Sequence, residues 1–393
     1  MTTAPVAVRR LRAVTRPADP PVDLLDELGS DGFAWLHGDS GFVTSGVATR
    51  VHPDDAVEVL AEIDHDDEVG TTGSGPVAAG ALPFAAATRA TLTVPSRIVG
   101  RHPGGRGWVT EIGTGPRVPT PLGRPPERFE VAAKTTPAAW AAAVDAALES
   151  IHRGDLEKVV LARAVEIVAD RPFLRREVLA RLRTQQPGCC VYADDGFLGA
   201  TPELLIRRTG TMIASRPMAG SASADDPVGL DRLAASAKDA REHRLVVDAI
   251  VAALTPWCRA LEADDEPVVA SFATIAHLAT EVVGTLREPA PDALALALAL
   301  HPTPAVGGVP RPVALDAIHR LEGSPRGCYA GPIGWVDTRG DGEWGVALRG
   351  ASLEGTTATL HAGAGIVDGS VASAEWRETE AKLAPMLRAL TGT

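Results

Sequence analysis

Strand-like segments follow one another directly in the second half of the chain, with turn residues rather than helices between them. One run is "CCVYADD", "GFLGATPELLIRR" and "TMIASRPMAGS", and a later run is "RGCYAGPIGWVD", "EWGVALRGASL" and "TATLHAGAGIVD". Strands joined by tight turns pair in antiparallel fashion, whereas a doubly wound parallel sheet needs a crossover helix after each strand. This order therefore predicts an α+β fold with mainly antiparallel sheets.

Segments typical of helices separate these runs, and the most distinctive loop follows one of them. The predicted helix "DALALALAL" is followed by "HPTPAVGGVP", residues 301–310. The prolines end the helix and stiffen the loop, while the glycines permit close backbone approach. The loop is therefore either a stiff connector or a wall against which a small ligand lies. The other predicted helices are "TPAAWAAAVDAALESIHRG", "RREVLARLRTQ", "DRLAASAKDAREHRLVVDAIVAAL", "RPVALDAIHRLEG" and "SAEWRETEAKLAPMLRAL".

The length, charge and cysteine spacing of the chain exclude several classes of protein. With 393 residues the chain exceeds one ordinary core, so we expect about two to three folding units. A formal net charge of −12 without Lys/Arg clusters argues against nucleic acid or an anionic membrane as a partner. No apolar run is long enough to span a bilayer and no secretory signal is evident, so we predict a cytoplasmic protein. Cys189, Cys190, Cys258 and Cys328 lack metal-ligand spacing and are predicted to be buried reduced thiols.

The first third of the chain carries weaker signals than the rest. It is rich in Pro, Gly and Ala, with short strand-like pieces such as "GFAWLHG" and "GFVTSGVATRV". The segment "TGPRVPTPLGRPPERFE" is the best linker candidate because its prolines disfavour helix. We therefore predict a division of the chain into residues 1–130 and 131–393.

Two acidic motifs fall on predicted helices with helical spacing. In "DAREH" Asp239 and Glu242 lie three residues apart, and in "EWRETEAK" Glu375, Glu378 and Lys382 form one stripe. Mg²⁺ prefers one or two protein carboxylates and completes its shell with water and substrate oxygens, so one glutamate from each helix would suit it. Taken singly, each motif is equally well explained as a solvated helix face, with Glu378 and Lys382 as a surface pair.

Two further titratable side chains stand in apolar strand segments. The chain has only four lysines, and one of them, Lys158, heads the strand "KVVLAR". If that strand is buried on both faces, the pKa of the lysine falls and it can act as a base at neutral pH. Glu203 lies between Pro202 and two leucines, and apolar surroundings raise a carboxyl pKa so that the group can act as an acid. The plainer interpretation is a solvated strand-end lysine and a turn glutamate.

In "HAGAGIV", Gly363 and Gly365 would let backbone N–H groups reach an anion.

In their order along the chain, these segments resemble the chorismate-utilising enzymes. The matching pieces extend over about residues 135–390 and are "KVVLAR", "GATPELL", "PMAGS", "AKDAREH", "HLATEVVG", "LHPTPAVGG", "YAGPIGW", "VALR", "GAGIV" and "EWRETEAK". The resemblance implies two large, mainly antiparallel β-sheets packed with outer helices in four layers, α/β/β/α. It also makes residues 131–393 the chorismate-binding catalytic region and residues 1–130 the N-terminal part of one interlocked two-sheet fold.

Within this family the motifs are most similar to those of members that convert chorismate to isochorismate with Mg²⁺. In that reaction water enters at C2 while the C4 hydroxyl departs and the double bonds migrate. The resemblance implies that Lys158 activates the water and that Glu203 protonates the leaving hydroxyl, which agrees with the pKa shifts expected above. The implied metal ligands are Glu242 and Glu378, supported by Asp239 and Glu375. The implied substrate contacts are Gly220, Ser221, His277, Ala305, Tyr329, Arg349, Gly363, Gly365 and Lys382.

Other activities of the same family are the main alternatives. Members that continue to salicylate tend to have Thr where Ala305 stands, and members that form anthranilate or aminodeoxychorismate need a glutaminase subunit, which we do not expect here. A substrate-binding paralogue without catalysis is disfavoured because every implied catalytic position carries a competent residue. We expect a monomer that acts on chorismate as a small-molecule substrate and supplies menaquinone or siderophore synthesis.

Overall fold

The fold is described from a computed structural model, which describes residues 11–85, 90–113 and 123–392. This part of the chain forms 23 β-strands and eight α-helices. The strands are β1 Arg12–Ala18, β2 Phe33–His37, β3 Ser40–Val51, β4 Asp64–Asp67, β5 Val77–Ala81, β6 Leu92–Arg101, β7 Gly107–Ile112, β8 Phe129–Ala133, β9 Lys158–Ala169, β10 Cys190–Asp194, β11 Phe197–Thr201, β12 Leu204–Thr209, β13 Met212–Arg216, β14 Met218–Ser223, β15 Cys258–Ala263, β16 Val268–Ser271, β17 Ile275–Ala279, β18 Val282–Leu286, β19 Gly308–Val309, β20 Pro332–Asp337, β21 Gly342–Val346, β22 Gly350–Glu354 and β23 Thr357–Ile366. The helices are α1 Ala56–Ala61, α2 Pro137–His152, α3 Arg175–Gln185, α4 Pro227–Ala235, α5 Ala237–Leu254, α6 Ala293–Leu300, α7 Arg311–Leu321 and α8 Ala372–Thr391.

Most strands belong to two large sheets that join at a single residue pair. The first sheet has the order β4, β1, β7, β6, β3, β2, β10, β11, β22, β23, β9, and both β8 and β19 pair with the other edge of β9. The second sheet has the order β5, β20, β21, β12, β13, β18, β15. They join where Ala79 of β5 bridges Thr93 of β6. Apart from β1 with β4, the strand pairings in the described residues are antiparallel, so the predicted fold class is confirmed.

The central strands are buried on both faces, which produces the predicted four layers. On β2 and β10, Trp35 and Tyr192 join Trp335 of β20 in the core between the two sheets. Their neighbours Leu36 and Val191 point the other way, into the core beneath α3 and α8, because side chains alternate along a strand. Helix α6 covers the far face of the second sheet at β12, β20 and β21.

The N-terminal strands are built into both sheets. Strand β2 pairs with β10 in the first sheet, and β5 pairs with β20 in the second. Strand β8 begins at Phe129 and pairs with β9, so the predicted boundary at residue 130 falls inside a paired strand. Residues 114–122 of the predicted linker lie outside the described residues. The division at residue 130 stays a prediction.

Four segments predicted as continuous elements are interrupted. Among the predicted strands, "GFLGATPELLIRR" divides into β11 and β12 at Pro202 and Glu203, and "TMIASRPMAGS" divides into β13 and β14 at Pro217.

The prediction of one helix over "DRLAASAKDAREHRLVVDAIVAAL" is wrong because Ser236 separates α4 from α5, and its Oγ accepts a hydrogen bond from the Asp239 N–H at 3.1 Å. The prediction of one strand over "EWGVALRGASL" is also wrong, since β21 ends at Val346 and Arg349 takes a φ of 49° before β22 begins. Strands β14, β17 and β16 form a separate small antiparallel sheet that was not predicted.

No helix in the described ranges is both long enough and apolar enough to cross a membrane.

All four cysteines are free thiols. Cys189, Cys190 and Cys258 are buried as predicted, whereas Cys328 is half-buried.

Candidate active site

One cavity gathers the side chains that the sequence analysis singled out. It lies where β9, β14 and β23 meet helices α5 and α8, and the loop 301–310 forms part of its wall. Lys158 is not among the lining residues, but its backbone pairs with Val309 of this loop and its side chain contacts Glu242. The predicted residues that line the cavity itself are Glu203, Gly220, Ser221, Asp239, Glu242, His277, Ala305, Tyr329, Arg349, Gly363, Gly365, Glu375, Glu378 and Lys382.

Pairing and packing of neighbouring elements explain this convergence. Strand β23 pairs with β9, so its alternate residues His361, Gly363 and Gly365 share one face beside that strand. Helix α8 follows β23 after a short turn and packs back across it, which places its acidic stripe over the same face. Helix α5 packs against β14 and presents Asp239 and Glu242 to the cavity.

The carboxylates of α5 and α8 form an acidic cluster. Burial, and then the negative charges of Glu378 and Glu242, raise the pKa of Glu375 to about 6, so these groups share one space. A divalent cation would relieve that repulsion, and carboxylate oxygens are ligands that Mg²⁺ prefers. Among the described residues, no group of three or more acidic, histidine or cysteine side chains is arranged to coordinate a metal ion without further ligands. The donor set therefore fits a cation that takes few protein ligands and completes its shell with water and substrate.

Lys158 is as buried as the prediction required, but a carboxylate faces it instead of apolar surface. Its Nζ lies 2.9 Å from Glu242 Oε1, in an ion pair that lacks hydrogen-bond alignment. Burial alone would raise the pKa of Glu242, but the Lys158 ammonium more than offsets this and holds that pKa below its usual range. Gly365 permits the contact, because a Cβ there would lie 2.5 Å from Glu242 Oε1. The lysine and the carboxylate therefore lie in direct contact at the edge of the cavity.

Glu203 is the buried acid of the cavity. It follows β11 in the segment "GATPELL" and is 4% exposed. Burial raises its pKa to about 8, although the positive charges of Lys158, Lys382 and Arg349 act in the opposite direction. The carboxyl group therefore holds its proton at neutral pH and is able to donate it.

Arg349 is held by neighbours that orient its guanidinium. The positive φ is uncommon for a residue with a side chain and occurs at the break between β21 and β22. Its Nη1 donates to Cys189 Sγ at 3.6 Å, and its Nη2 donates to His277 Nε2 at 3.0 Å. Burial, and then the Arg349 charge, lowers the pKa of His277 to about 3, so the ring is neutral. Its Nδ1–H donates to the Gly220 carbonyl at 2.8 Å, so both ring nitrogens are occupied within the protein.

Lys382 faces the cavity, so it is not simply one member of an exposed surface ion pair. Its Nζ donates to Glu378 Oε1 at 2.6 Å and to the Gly363 carbonyl at 3.0 Å. Burial opposes the charge of Lys382, but Glu378 more than offsets this and raises the lysine pKa above its usual value. Ser221 Oγ also donates to Glu378 Oε1, at 3.1 Å. The Gly363 carbonyl is thus an acceptor here, whereas the expected use of its N–H toward an anion stays a prediction.

Two polar cavity residues were not among the predicted site residues, although Lys238 is one of the four lysines of the chain. Lys238 lines the cavity with its Nζ 3.8 Å from Glu375 Oε1. It precedes Glu242 by four residues, so helical spacing places the two on one face. His361 lines the cavity on β23 and stacks on Tyr329 with ring centroids 5.4 Å apart. Residues two apart on a strand point to the same face, so the spacing of His361 from Gly363 could have identified it as a cavity residue.

The loop 301–310 is a wall of the cavity. Ala305 and Val306 line it, and the turn is closed by the N–H groups of Val306 and Gly307, which donate to the Thr303 carbonyl at 3.1 Å and 2.9 Å. The chain then forms β19, which pairs with the start of β9 beside Lys158. Of the two interpretations of this loop, the structure supports a ligand-facing wall.

Comparison with known proteins places the chain in a family. A family model described as chorismate binding enzyme matches residues 117–391. The protein belongs to the chorismate-binding enzymes.

Similar proteins with more specific names include one from Mycobacterium tuberculosis, described as a putative isochorismate synthase, MenF. It is 40% identical over 340 residues, which span 81% of this chain and 87% of that protein. The structure of MenF, the menaquinone-specific isochorismate synthase from Escherichia coli, matches with a TM-score of 0.82 and 26% identity over 97% of this chain and 94% of that one. A putative 2,3-dihydroxybenzoate-specific isochorismate synthase, DhbC from Bacillus anthracis, matches with a TM-score of 0.80 and 32% identity over 93% of this chain and 98% of that one.

Proposed function

We propose that this protein is an isochorismate synthase, which converts chorismate to isochorismate. The observation that carries the proposal is a single cavity that combines a buried protonated carboxyl group, Glu203, with Arg349 and the acidic cluster of α5 and α8. Such a site suits a substrate that bears carboxylates and gives up a hydroxyl group. The similarity to proteins named isochorismate synthases supports the same activity.

In the proposed reaction, Lys158 accepts a proton and Glu203 donates one. Lys158, as the neutral amine and out of contact with Glu242, takes a proton from the water whose oxygen bonds to C2. The ring double bonds shift, the bond from C4 to its hydroxyl oxygen breaks, and Glu203 gives its proton to that oxygen so that it leaves as water. Solvent then returns a proton to Glu203 and removes one from Lys158, so the water taken up equals the water released.

Charged groups of the cavity bind and orient the substrate. Arg349 provides a planar fork of N–H donors that suits a carboxylate, and His277 fixes the direction of that fork. Glu242 and Glu378 are the proposed ligands of Mg²⁺, with Asp239 and Glu375 supporting its water ligands. The cation would supply positive charge that binds and polarises the ring carboxylate.

The proposal is tested by the products that the purified protein forms from chorismate. With Mg²⁺ we expect isochorismate as the product, and with a chelator in place of Mg²⁺ we expect chorismate to persist, as measured by chromatography. Glu203→Gln is the matched control because it keeps the side-chain volume and removes the acid. Salicylate plus pyruvate as the products, or no consumption of chorismate with Mg²⁺, would overturn the proposal.

A further inference from the structure

A buried ion pair fills a gap in the edge of β9. At one side of the gap the Val160 N–H donates to the Gly307 carbonyl at 2.8 Å, where the loop 301–310 meets the strand. At the other side β8 pairs with β9 from Val165 onward. Between them, the Val160 carbonyl and the Ala162 N–H have no strand opposite them. Buried backbone groups of this kind need hydrogen-bond partners.

The side chains of Glu322 and Arg326 supply these partners. Arg326 Nη2 donates to the Val160 carbonyl at 2.8 Å, and Glu322 Oε1 accepts from the Ala162 N–H at 2.7 Å. The two side chains are also joined to each other, with Arg326 Nε donating to Glu322 Oε2 at 2.8 Å. The ion pair therefore occupies the place of a neighbouring strand.

The same guanidinium also reaches the loop. Arg326 Nη1 donates to the Val306 carbonyl at 2.8 Å, and the guanidinium carbon lies 4.1 Å from the centre of the Phe84 ring. Arg326 is only 6% exposed, so these bonds form away from bulk water. Val306 and Val160 both line the cavity, whereas Arg326 is not among the lining residues. One planar group thus ties together two walls of the cavity from behind.

We propose that Arg326 is a positioning residue that fixes the loop 301–310 against β9 and so sets the shape of the chorismate pocket; the identity of that ligand rests on the proposed function. Arginine is needed because it presents five N–H donors in a rigid plane, four of which are used here toward Glu322, Val306 and Val160. A lysine would keep the charge beside Glu322 but could not hold both carbonyl groups in that geometry.

Arg326→Lys tests this proposal against Arg208→Lys. Arg208 is a matched control because it is also buried, with 9% of its surface exposed, and does not line the cavity. It also donates to two backbone carbonyls, those of Gly210 at 2.9 Å and Arg339 at 3.1 Å. For Arg326→Lys we expect the KM for chorismate to rise roughly tenfold, with a smaller change in kcat, because charge-assisted hydrogen bonds that shape the pocket are lost. For Arg208→Lys we expect an unchanged KM with a lowered Tm.

Amide hydrogen exchange in the unliganded protein provides a measurement that does not depend on turnover. We expect residues 301–310 to exchange faster in Arg326→Lys than in the parent protein and the Arg208→Lys control. If Arg326→Lys does not fold, Glu322→Gln is used, and faster exchange of the same residues is expected because Arg326 loses its anchor. Equal losses of Tm in the two arginine variants, with unchanged KM and unchanged exchange in 301–310, would overturn the proposal. Absence of turnover in the parent protein would instead contradict the proposed function, and the exchange experiment would still test Arg326.

Discussion

Glu203 and Lys158 are both deeply buried, with exposed fractions of 4% and 0%. Of these two, only Lys158 has an ion-pair partner among the described residues. No carboxylate or ammonium is paired with Glu203 among the described ion pairs, so burial prevails and the acid keeps its proton. Lys158 lies against Glu242, so its burial is offset by an opposite charge. At the scale of residues, burial without an ion-pair partner is what leaves Glu203 able to donate a proton.

The protonation of Glu203 predicts how activity depends on pH. Because its pKa is raised to about 8, the acid form is present below that pH and is lost above it. We therefore expect kcat/KM to fall as the pH rises through about 8. Glu203→Gln should reduce kcat by roughly 10²–10⁴ because the amide cannot protonate the leaving hydroxyl. A pH profile that stays flat through this range, or near-normal kcat in the variant, would contradict the assignment.

The Lys158–Glu242 pair predicts a separation between stability and activity. Lys158→Met leaves the Glu242 carboxylate buried without its partner, so we expect a loss of about 3–5 kcal/mol in unfolding free energy together with loss of turnover. Adding Glu242→Gln to the same chain should restore most of the stability and none of the turnover. Urea unfolding and product assays measure both.

The control for this prediction is Lys134→Met. Lys134 forms an exposed pair with Glu166 at 2.9 Å, and such pairs contribute at most about 1 kcal/mol. A double variant of Lys158 and Glu242 that turns over chorismate normally would remove Lys158 from the mechanism.

At the scale of elements, two short breaks in the backbone shape the cavity. Ser236 begins α5, which allows Asp239 and Glu242 to face the cavity, and the φ of 49° at Arg349 breaks a strand at the arginine that lines it. Periodicity predicted the flanking helix and strands correctly. It did not predict the breaks: the Ser236-x-x-Asp239 spacing is an N-cap signal that was not used, whereas the positive φ at Arg349 has no signal in the local pattern.

The role of Arg326 was equally hidden from the sequence. Its partners Val160 and Val306 are 166 and 20 residues away in the chain, so only the folded structure reveals the bridge. The buried carboxyl group, the buried lysine and the acidic stripes were predictable because short motifs carry them. Lys238 could have been included with them, since its spacing from Glu242 was visible.

Close approach between β23 and α5 predicts the effect of one added methyl group. A Cβ at Gly365 would lie 2.5 Å from Glu242 Oε1 and 3.2 Å from Lys158 Cε. We expect Gly365→Ala to displace Glu242 and to weaken Mg²⁺ binding in titration calorimetry by roughly tenfold or more, since an outer partner of a metal ligand changes affinity by about 10–100-fold. Gly323→Ala is the control because its added methyl group meets no atom within 4 Å. Equal Mg²⁺ affinity in the two variants would contradict the proposed role of Glu242.

At the scale of the whole molecule, the N-terminal strands and the cavity-bearing strands share their sheets. Strand β2 pairs with β10 and β5 pairs with β20, and Trp35 packs in the core between the sheets. The family resemblance predicted this interlocking, whereas composition alone suggested a linker and separate parts. The described part of the chain therefore has the connections of one cooperative unit.

This connectivity predicts a single unfolding transition. Trp35 is 3% exposed, and its Nε1 donates to Glu343 Oε1 at 3.1 Å, so Trp35→Ala should reduce the unfolding free energy by about 3–5 kcal/mol. Tryptophan fluorescence, circular dichroism and residual activity should change together with denaturant in both proteins. An early transition that leaves chorismate turnover intact would contradict the interlocked unit.

The central claim is that this cavity adds water to chorismate, and the source of the new hydroxyl oxygen tests it most directly. Chorismate is incubated with the protein and Mg²⁺ in ¹⁸O-labelled water, and the product is analysed by mass spectrometry at early time points. We predict isochorismate that carries one ¹⁸O atom from the solvent in its new hydroxyl group. Unlabelled isochorismate, salicylate with pyruvate, or unchanged chorismate would contradict it.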